Sequence, residues 1–188
     1  MSARFYSSKF IIMLDHVPIL LAEDDPNEVF LMQRAMKRAA VPNPVFIVSN
    51  GQEVIDYLSG KGDYRHREKF PLPGLMLLDL RMPWMDGFDV LRWLRGQPQF
   101  GAVRVVVLTS SKLQSDMDKS RQMGAYDFRV KPHEFDDLVQ LVDDVWRRWS
   151  DEQGRLSGTV VDGSPAKSPN EPQQISRNEK EQKPEKTV

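Results

Sequence analysis

Five short apolar runs, each followed by a longer stretch with helical spacing, recur between Val17 and Trp149. The runs are Ile19-Leu20-Leu21-Ala22, Val45-Phe46-Ile47-Val48, Leu75-Met76-Leu77-Leu78, Val103 to Leu108 and Tyr126 to Val130. Most are apolar at every position rather than at alternate ones, which is the pattern of parallel strands covered on both faces. The segments that follow are Asn27 to Ala40, Gln52 to Leu58, Gly87 to Arg95, Leu113 to Met123 and Glu134 to Trp149. They read as helices, and in the first of them Val29, Met32, Met36 and Ala39 share one face. Strand then helix, five times over, predicts one α/β domain with a parallel sheet between two helical layers.

Composition narrows the class further. The 188 residues carry 26 Lys+Arg against 27 Asp+Glu, without the basic excess of a dedicated nucleic-acid binder or a polybasic membrane anchor. With no cysteine there is no disulfide framework, no thiolate zinc site and no cysteine nucleophile, and a reducing compartment, the cytoplasm, is expected. The longest apolar stretches, Phe10 to Leu14 and Val105 to Leu108, fall far short of the roughly 20 residues of a spanning helix, so no membrane contact is expected. The repeating pattern places the domain at residues 17 to 150. Residues 1 to 16 read as a flexible leader, with Met13 as an alternative start. From Asp151 to Val188, 13 charged residues, four prolines and only six apolar side chains among 38 cannot bury a core, and the segment reads as a disordered tail.

Open α/β sheets bind ligands beyond the carboxyl ends of their strands. Here the first strand closes on Glu23-Asp24-Asp25, the third on Asp79, the fourth on Thr109-Ser110-Ser111 and the fifth on Lys131-Pro132, while the second ends in the plain turn Ser49-Asn50-Gly51. Carboxylates crowded at one edge raise each other's pKa unless a cation cancels them. Magnesium, a hard ion that takes oxygen ligands and works beside phosphate, suits Glu23, Asp24 and Asp79. No histidine or thiolate stands at this edge, which argues against zinc. The plainer reading makes Glu23-Asp24-Asp25 an acidic helix start and Asp79 a cap or turn. A strand-end carboxylate beside a metal can also attack phosphorus, with Lys131 neutralising one phosphoryl oxygen and Thr109 donating its hydroxyl to another.

Together these residues resemble the receiver domain of response regulators in two-component signalling, over about 130 of the 188 residues. Glu23-Asp24 matches the family's acidic pair, Asp79 its phospho-accepting aspartate, Thr109 its switch hydroxyl and Lys131-Pro132 its lysine and the proline that usually follows a cis bond. Phe128 falls where the family has its switch aromatic, and Met82-Pro83 and Gly87 also fit. The resemblance implies a flavodoxin-like five-stranded parallel sheet of order 2-1-3-4-5 with helices on both faces. It implies transfer of a phosphoryl group from a histidine kinase phosphohistidine to Asp79, with magnesium held by Glu23 or Asp24, Asp79 and the backbone carbonyl of Arg81. Thr109 would then move toward the phosphoryl group and Phe128 would turn inward. Arg81 and Ser111 occupy positions that tune how fast the acyl phosphate is lost. Such a chain catalyses its own phosphorylation and dephosphorylation and is not an enzyme toward a separate substrate.

The connection from Ser59 to Gly74 is long, and no output domain is evident, a combination that resembles the small single-domain regulators paired with phytochrome-type histidine kinases. Output through protein contacts is therefore expected, with no nucleic-acid partner. In the last helix Phe135, Leu138, Val139, Leu141, Val142, Val145, Trp146 and Trp149 exceed the ~100° stripe needed to meet one core. That surplus suggests a homodimer through the fifth helix and fifth strand, or packing under the chain's own ends. A haloacid-dehalogenase-type phosphatase would want a second Asp where Arg81 stands, and a flavodoxin-like binding module would want a glycine- and hydroxyl-rich loop where Glu23-Asp24-Asp25-Pro26-Asn27 stands. A receiver-like scaffold that is never phosphorylated would not need the full acceptor set.

Overall fold

Alternation along the strands sorts the apolar side chains into two layers, because successive residues of a strand point to opposite faces. The computed structural model describes residues 16 to 158, with side chains as far as residue 155. Its strands are β1 (Ile19–Ala22), β2 (Val45–Val48), β3 (Leu75–Leu78), β4 (Arg104–Thr109) and β5 (Asp127–Val130). Its helices are α1 (Pro26–Arg38), α2 (Gly51–Ser59), α3 (Gly87–Arg95), α4 (Gln114–Gln122) and α5 (Phe135–Gly158). Leu20, Ala22, Met76, Leu78, Val105, Val107 and Phe128 pack with α2 and α3, and Met117 and Met123 of α4 and its end pack against them. Ile19, Leu21, Leu75, Leu77, Val106 and Leu108 meet Met32, Ala35 and Met36 of α1 and Leu138, Val142, Val145 and Trp149 of α5.

All strand pairings are parallel and the order is β2-β1-β3-β4-β5, as expected. The register aligns Ala22 with Val48 and Leu78, and Thr109 with Val130, so the strands finish along one edge. The expectation of strands apolar on both faces holds for β1 and β3, which are wholly buried, and nearly for β4. It fails at the borders, where Ile47 of β2 is exposed and β5 carries the ion-paired Asp127 and Arg129.

The tail boundary needs correction. The last helix continues through Asp151 to Gly158 rather than stopping at Trp149. Tertiary contacts hold the extension: Arg104 Nη2 pairs with Glu152 Oε1 at 2.8 Å, and the same guanidinium lies over the Tyr126 ring. One turn earlier Trp149 is 1% exposed, and a Cβ on Gly74 would stand 2.7 Å from its ring. The reading of residues 1 to 15 as a leader, and of residues 159 to 188 as a tail, falls outside the described residues.

The apolar surplus of α5 is half-buried within the chain. Leu141, Val139 and Trp146 pack beside α1 and the sheet, and Trp146 Nε1 donates to Asn43 Oδ1 at 2.7 Å in the α1–β2 connection. These residues therefore do not require a second protomer.

The long connection before β3 is also anchored. It contains a 3-10 turn at Gly62–Arg65, and Phe70 packs edgewise against Tyr64, Tyr57 and Phe46 while Tyr64 lies tilted against Tyr57. Arg67 reaches back to α2, where its Nη1 donates to the Tyr57 carbonyl at 2.7 Å and its Nη2 to that of Leu58 at 2.5 Å. The helix ends there at Gly60, whose φ of 66° is left-handed and whose N–H also donates to the Tyr57 carbonyl, so Arg67 adds a second donor there and brings one to Leu58.

Candidate functional site

Backbone hydrogen bonds carry the sheet register past the strand ends and so fix the pocket floor. Glu23 N donates to the Val48 carbonyl and Asp79 N to that of Ala22, each at 3.0 Å, while Lys131 N donates to the Thr109 carbonyl at 2.8 Å. Residues more than a hundred positions apart in sequence thereby become neighbours. Glu23, Asp24 and Asp79 each offer a carboxylate oxygen, and these oxygens all lie within 4.8 Å of one another. Glu23 and Asp79 are buried and Asp24 is exposed, which leaves the cluster open on one side.

The acidic run after β1 divides its work. Asp25 caps α1, its carboxylate accepting from Asn27 N at 2.8 Å, so the plainer reading is right for this residue. Glu23 and Asp24 face the pocket instead. Asp79 is not a helix cap: Asp86 caps α3, accepting from Asp89 N at 2.8 Å. The start of α3 presses on the end of β3, since a Cβ on Gly87 would come within 2.4 Å of the Asp79 carbonyl oxygen. Glycine there lets helix and strand end approach closely.

Lys131 enters from β5 and lies among three acids. Its Nζ is 2.5 Å from Glu23 Oε2 and 3.3 Å from Asp79 Oδ1, and it also donates to Glu28. Asp79 Oδ2 accepts from the backbone N–H of Arg81 at 2.6 Å. Burial would lower the lysine's affinity for its proton, but the carboxylates of Asp79, Glu23 and Glu28 outweigh it and hold Lys131 above its ordinary range. Glu23 shows the reverse balance. Burial pushes its carboxyl up to about 7 and Asp79 adds to this, while the bond from Lys131 pulls down. Two buried carboxylates sharing one lysine leave uncompensated negative charge, and an oxygen-only donor set of this size suits a hard divalent cation. The donors present therefore fit magnesium.

Thr109 is fully buried as the last residue of β4, with Oγ1 accepting from Ser111 N at 3.3 Å. Phe128 is buried in the core layer beside Val107. The inward position that the resemblance attached to phosphorylation is therefore occupied here. The expected cis bond is not present. No cis peptide occurs among the described residues, and the two isomers of such a bond differ by only about 0.5–1 kcal/mol.

Two residues at the site were not anticipated from sequence. Glu28 lies one turn into α1 and joins Lys131 only through the fold, and Asp116 of α4 accepts from the Ser111 hydroxyl at 2.6 Å. Glu28 carries a faint signal, standing in the first turn of a helix predicted to start just beyond the pocket edge. Asp116 carries none.

Comparison with known proteins agrees with this geometry. A family model described as "Response regulator receiver domain" matches residues 19–143. The chain is 30% identical over 131 residues to response regulator Rcp1 of Synechocystis sp. strain PCC 6803, covering 70% of this chain and 87% of that one. Its fold superposes on the phosphorylated cyanobacterial phytochrome response regulator RcpA with a TM-score of 0.66 at 31% identity, over 71% of this chain and 94% of the other. A Mn(2+)-bound form of Rcp1 gives a TM-score of 0.64 at 30% identity, over 72% and 95%.

Proposed function

Because the chain belongs to the response-regulator receiver family of two-component signalling, we propose that Asp79 accepts a phosphoryl group from the phosphohistidine of a sensor histidine kinase. The observation that carries this reading is the setting of Asp79: a carboxylate 5% exposed, 3.3 Å from a lysine and grouped with Glu23 and Asp24. The Arg81 N–H fixes the plane of the Asp79 carboxylate, so its nucleophilic oxygen needs little reorientation. A bond forms from that oxygen to phosphorus as the bond from phosphorus to the imidazole nitrogen breaks. Lys131 stands where it can exchange a carboxylate partner for a phosphoryl oxygen. Glu23, Asp24 and Asp79, with the backbone carbonyl of Arg81, would hold magnesium, which would supply positive charge against the phosphoryl oxygens. Thr109 then donates its hydroxyl to the new phosphoryl group, with Phe128 already buried in the core layer.

The likeness to Rcp1 and RcpA supports a phytochrome-type kinase as the donor. Output passes through contacts with other proteins in the cytoplasm, and the chain acts on its own aspartate rather than on a separate substrate. No helix among the described residues is long and apolar enough to cross a membrane.

Incubation with magnesium and acetyl phosphate, followed by intact-mass measurement, tests the assignment. Wild type should gain one phosphoryl group and Asp79→Asn none, because an amide is a poor nucleophile. Chelation of magnesium should abolish the gain. Equal labelling of both proteins would sink the assignment.

A further inference from the structure

A chain of hydrogen bonds leaves the pocket and runs beyond the groups that phosphoryl transfer uses. Asp79 Oδ2 accepts from the backbone N–H of Arg81 at 2.6 Å, and Thr109 Oγ1 accepts from that of Ser111 at 3.3 Å. The side chains of these two donors then converge on one atom. Asp116 Oδ2 accepts from the Ser111 hydroxyl at 2.6 Å and lies 3.5 Å from Arg81 Nη2. Asp116 is buried in the first turn of α4, and its carbonyl accepts from the hydroxyl of buried Ser120 at 2.7 Å. A buried carboxylate must find donors. Ser111 meets that need, because the arginine contact is longer and its side chain, 65% exposed, is screened by water.

We propose that Asp116 is a positioning residue for the switch, anchoring Ser111 so that the Thr109 hydroxyl stays aimed at the phosphoryl group on Asp79. This rests on the reading of Asp79 as phosphoacceptor. A hydroxyl whose oxygen accepts from the Ser111 N–H keeps its own proton free to donate, so a fixed Ser111 backbone fixes the direction of that donation. With Asp116 shortened, Ser111 loses its anchor, Thr109 turns more freely and the phosphoryl group is held less firmly. The same link reaches α4. As Thr109 is drawn toward the phosphoryl group, Ser111 and Asp116 follow, and the first turn of α4 reports the charge on Asp79.

The test labels the full chain with acetyl phosphate and magnesium, removes the donor and follows decay of the aspartyl phosphate by intact mass. Asp116→Ala and Ser111→Ala should each speed decay by about threefold or more, with the double variant no faster than the faster single one, as for two members of one hydrogen-bonded link. Asp116→Asn keeps an oxygen for the serine hydroxyl and should stay within about twofold of wild type. Additive effects, an unchanged Asp116→Ala, or equal changes in Asp116→Ala and Asp116→Asn would overturn the proposal. Hydrogen exchange on unlabelled protein is the second arm. Asp116→Ala should exchange faster across residues 110 to 122 with α5 unchanged, and equal exchange in the two proteins would also overturn it. If wild type takes no label, the phosphoacceptor reading fails alone, and the exchange arm still decides whether Asp116 anchors Ser111.

Discussion

Glu23 is where residue-level chemistry becomes a measurable property of the whole chain. Its carboxyl sits at about 7 in the fold against an ordinary 4.5, chiefly through burial. Between those values the folded chain keeps a proton that the unfolded chain has lost, so stability falls as pH rises from about 4.5 to about 7. The full cost above pH 7 is about 3 kcal/mol at 1.36 kcal/mol per unit. Lys131 is raised as well, so it too makes stability fall with rising pH, but its window lies at far higher pH. Denaturant titrations without magnesium should therefore show a slope over pH 5 to 7 that Glu23→Gln flattens, while the same variant gains stability at pH 8. An unchanged slope would place the proton elsewhere. A metal ligand must be deprotonated, so magnesium should bind more weakly below pH 7 and release protons as it binds. Calorimetry in two buffers of different ionisation enthalpy would detect that release.

At the scale of elements, the connection between α2 and β3 behaves as part of the core. Arg67 supplies donors to three carbonyls, those of Tyr57, Leu58 and Phe70, and the aromatic rings close over the edge strand β2. Arg67→Ala should lower stability by about 1–3 kcal/mol, the cost of leaving such carbonyls short of partners. Trypsin should then cut at Lys61, Arg65 or Lys69 in a chain otherwise folded. Arg67→Lys should recover only part of the loss, because a single ammonium cannot span three carbonyls as the planar guanidinium does. Wild-type protease resistance in Arg67→Ala would mean that the ring contacts alone hold the segment.

For the whole molecule, α5 decides more than its sequence suggests. It covers one layer of the core, reaches the α1–β2 connection through Trp146 and Asn43, and extends to Gly158 past Arg104. With its apolar residues occupied inside one chain, and the β5 border carrying Asp127 paired to Arg129 and Arg148, the protein truncated after Gly158 should sediment as a monomer at micromolar concentration. A dimer in that experiment, with or without phosphodonor, would restore the symmetric contact that the apolar count suggested. Truncation after Trp149 should cost stability, since it removes Glu152 from Arg104.

Periodicity determined the architecture, since five apolar runs each followed by a helical segment admit few alternatives to a parallel sheet between two helical layers. Strand ends then determined the pocket: Glu23, Asp24, Asp79, Thr109 and Lys131 were legible because a parallel sheet brings the residue after each strand to one edge. Contacts between helices and loops were not legible, because side-chain reach across elements leaves no period in the chain. Only the tertiary structure could give Glu28 to Lys131, Asp116 to Ser111, Arg67 to the end of α2 and Glu152 to Arg104. The composition from Asp151 onward is that of a chain unable to bury a core by itself, and the helix nonetheless continues to Gly158 because Arg104 of β4, stacked on the Tyr126 ring just before β5, offers Glu152 a guanidinium to pair with.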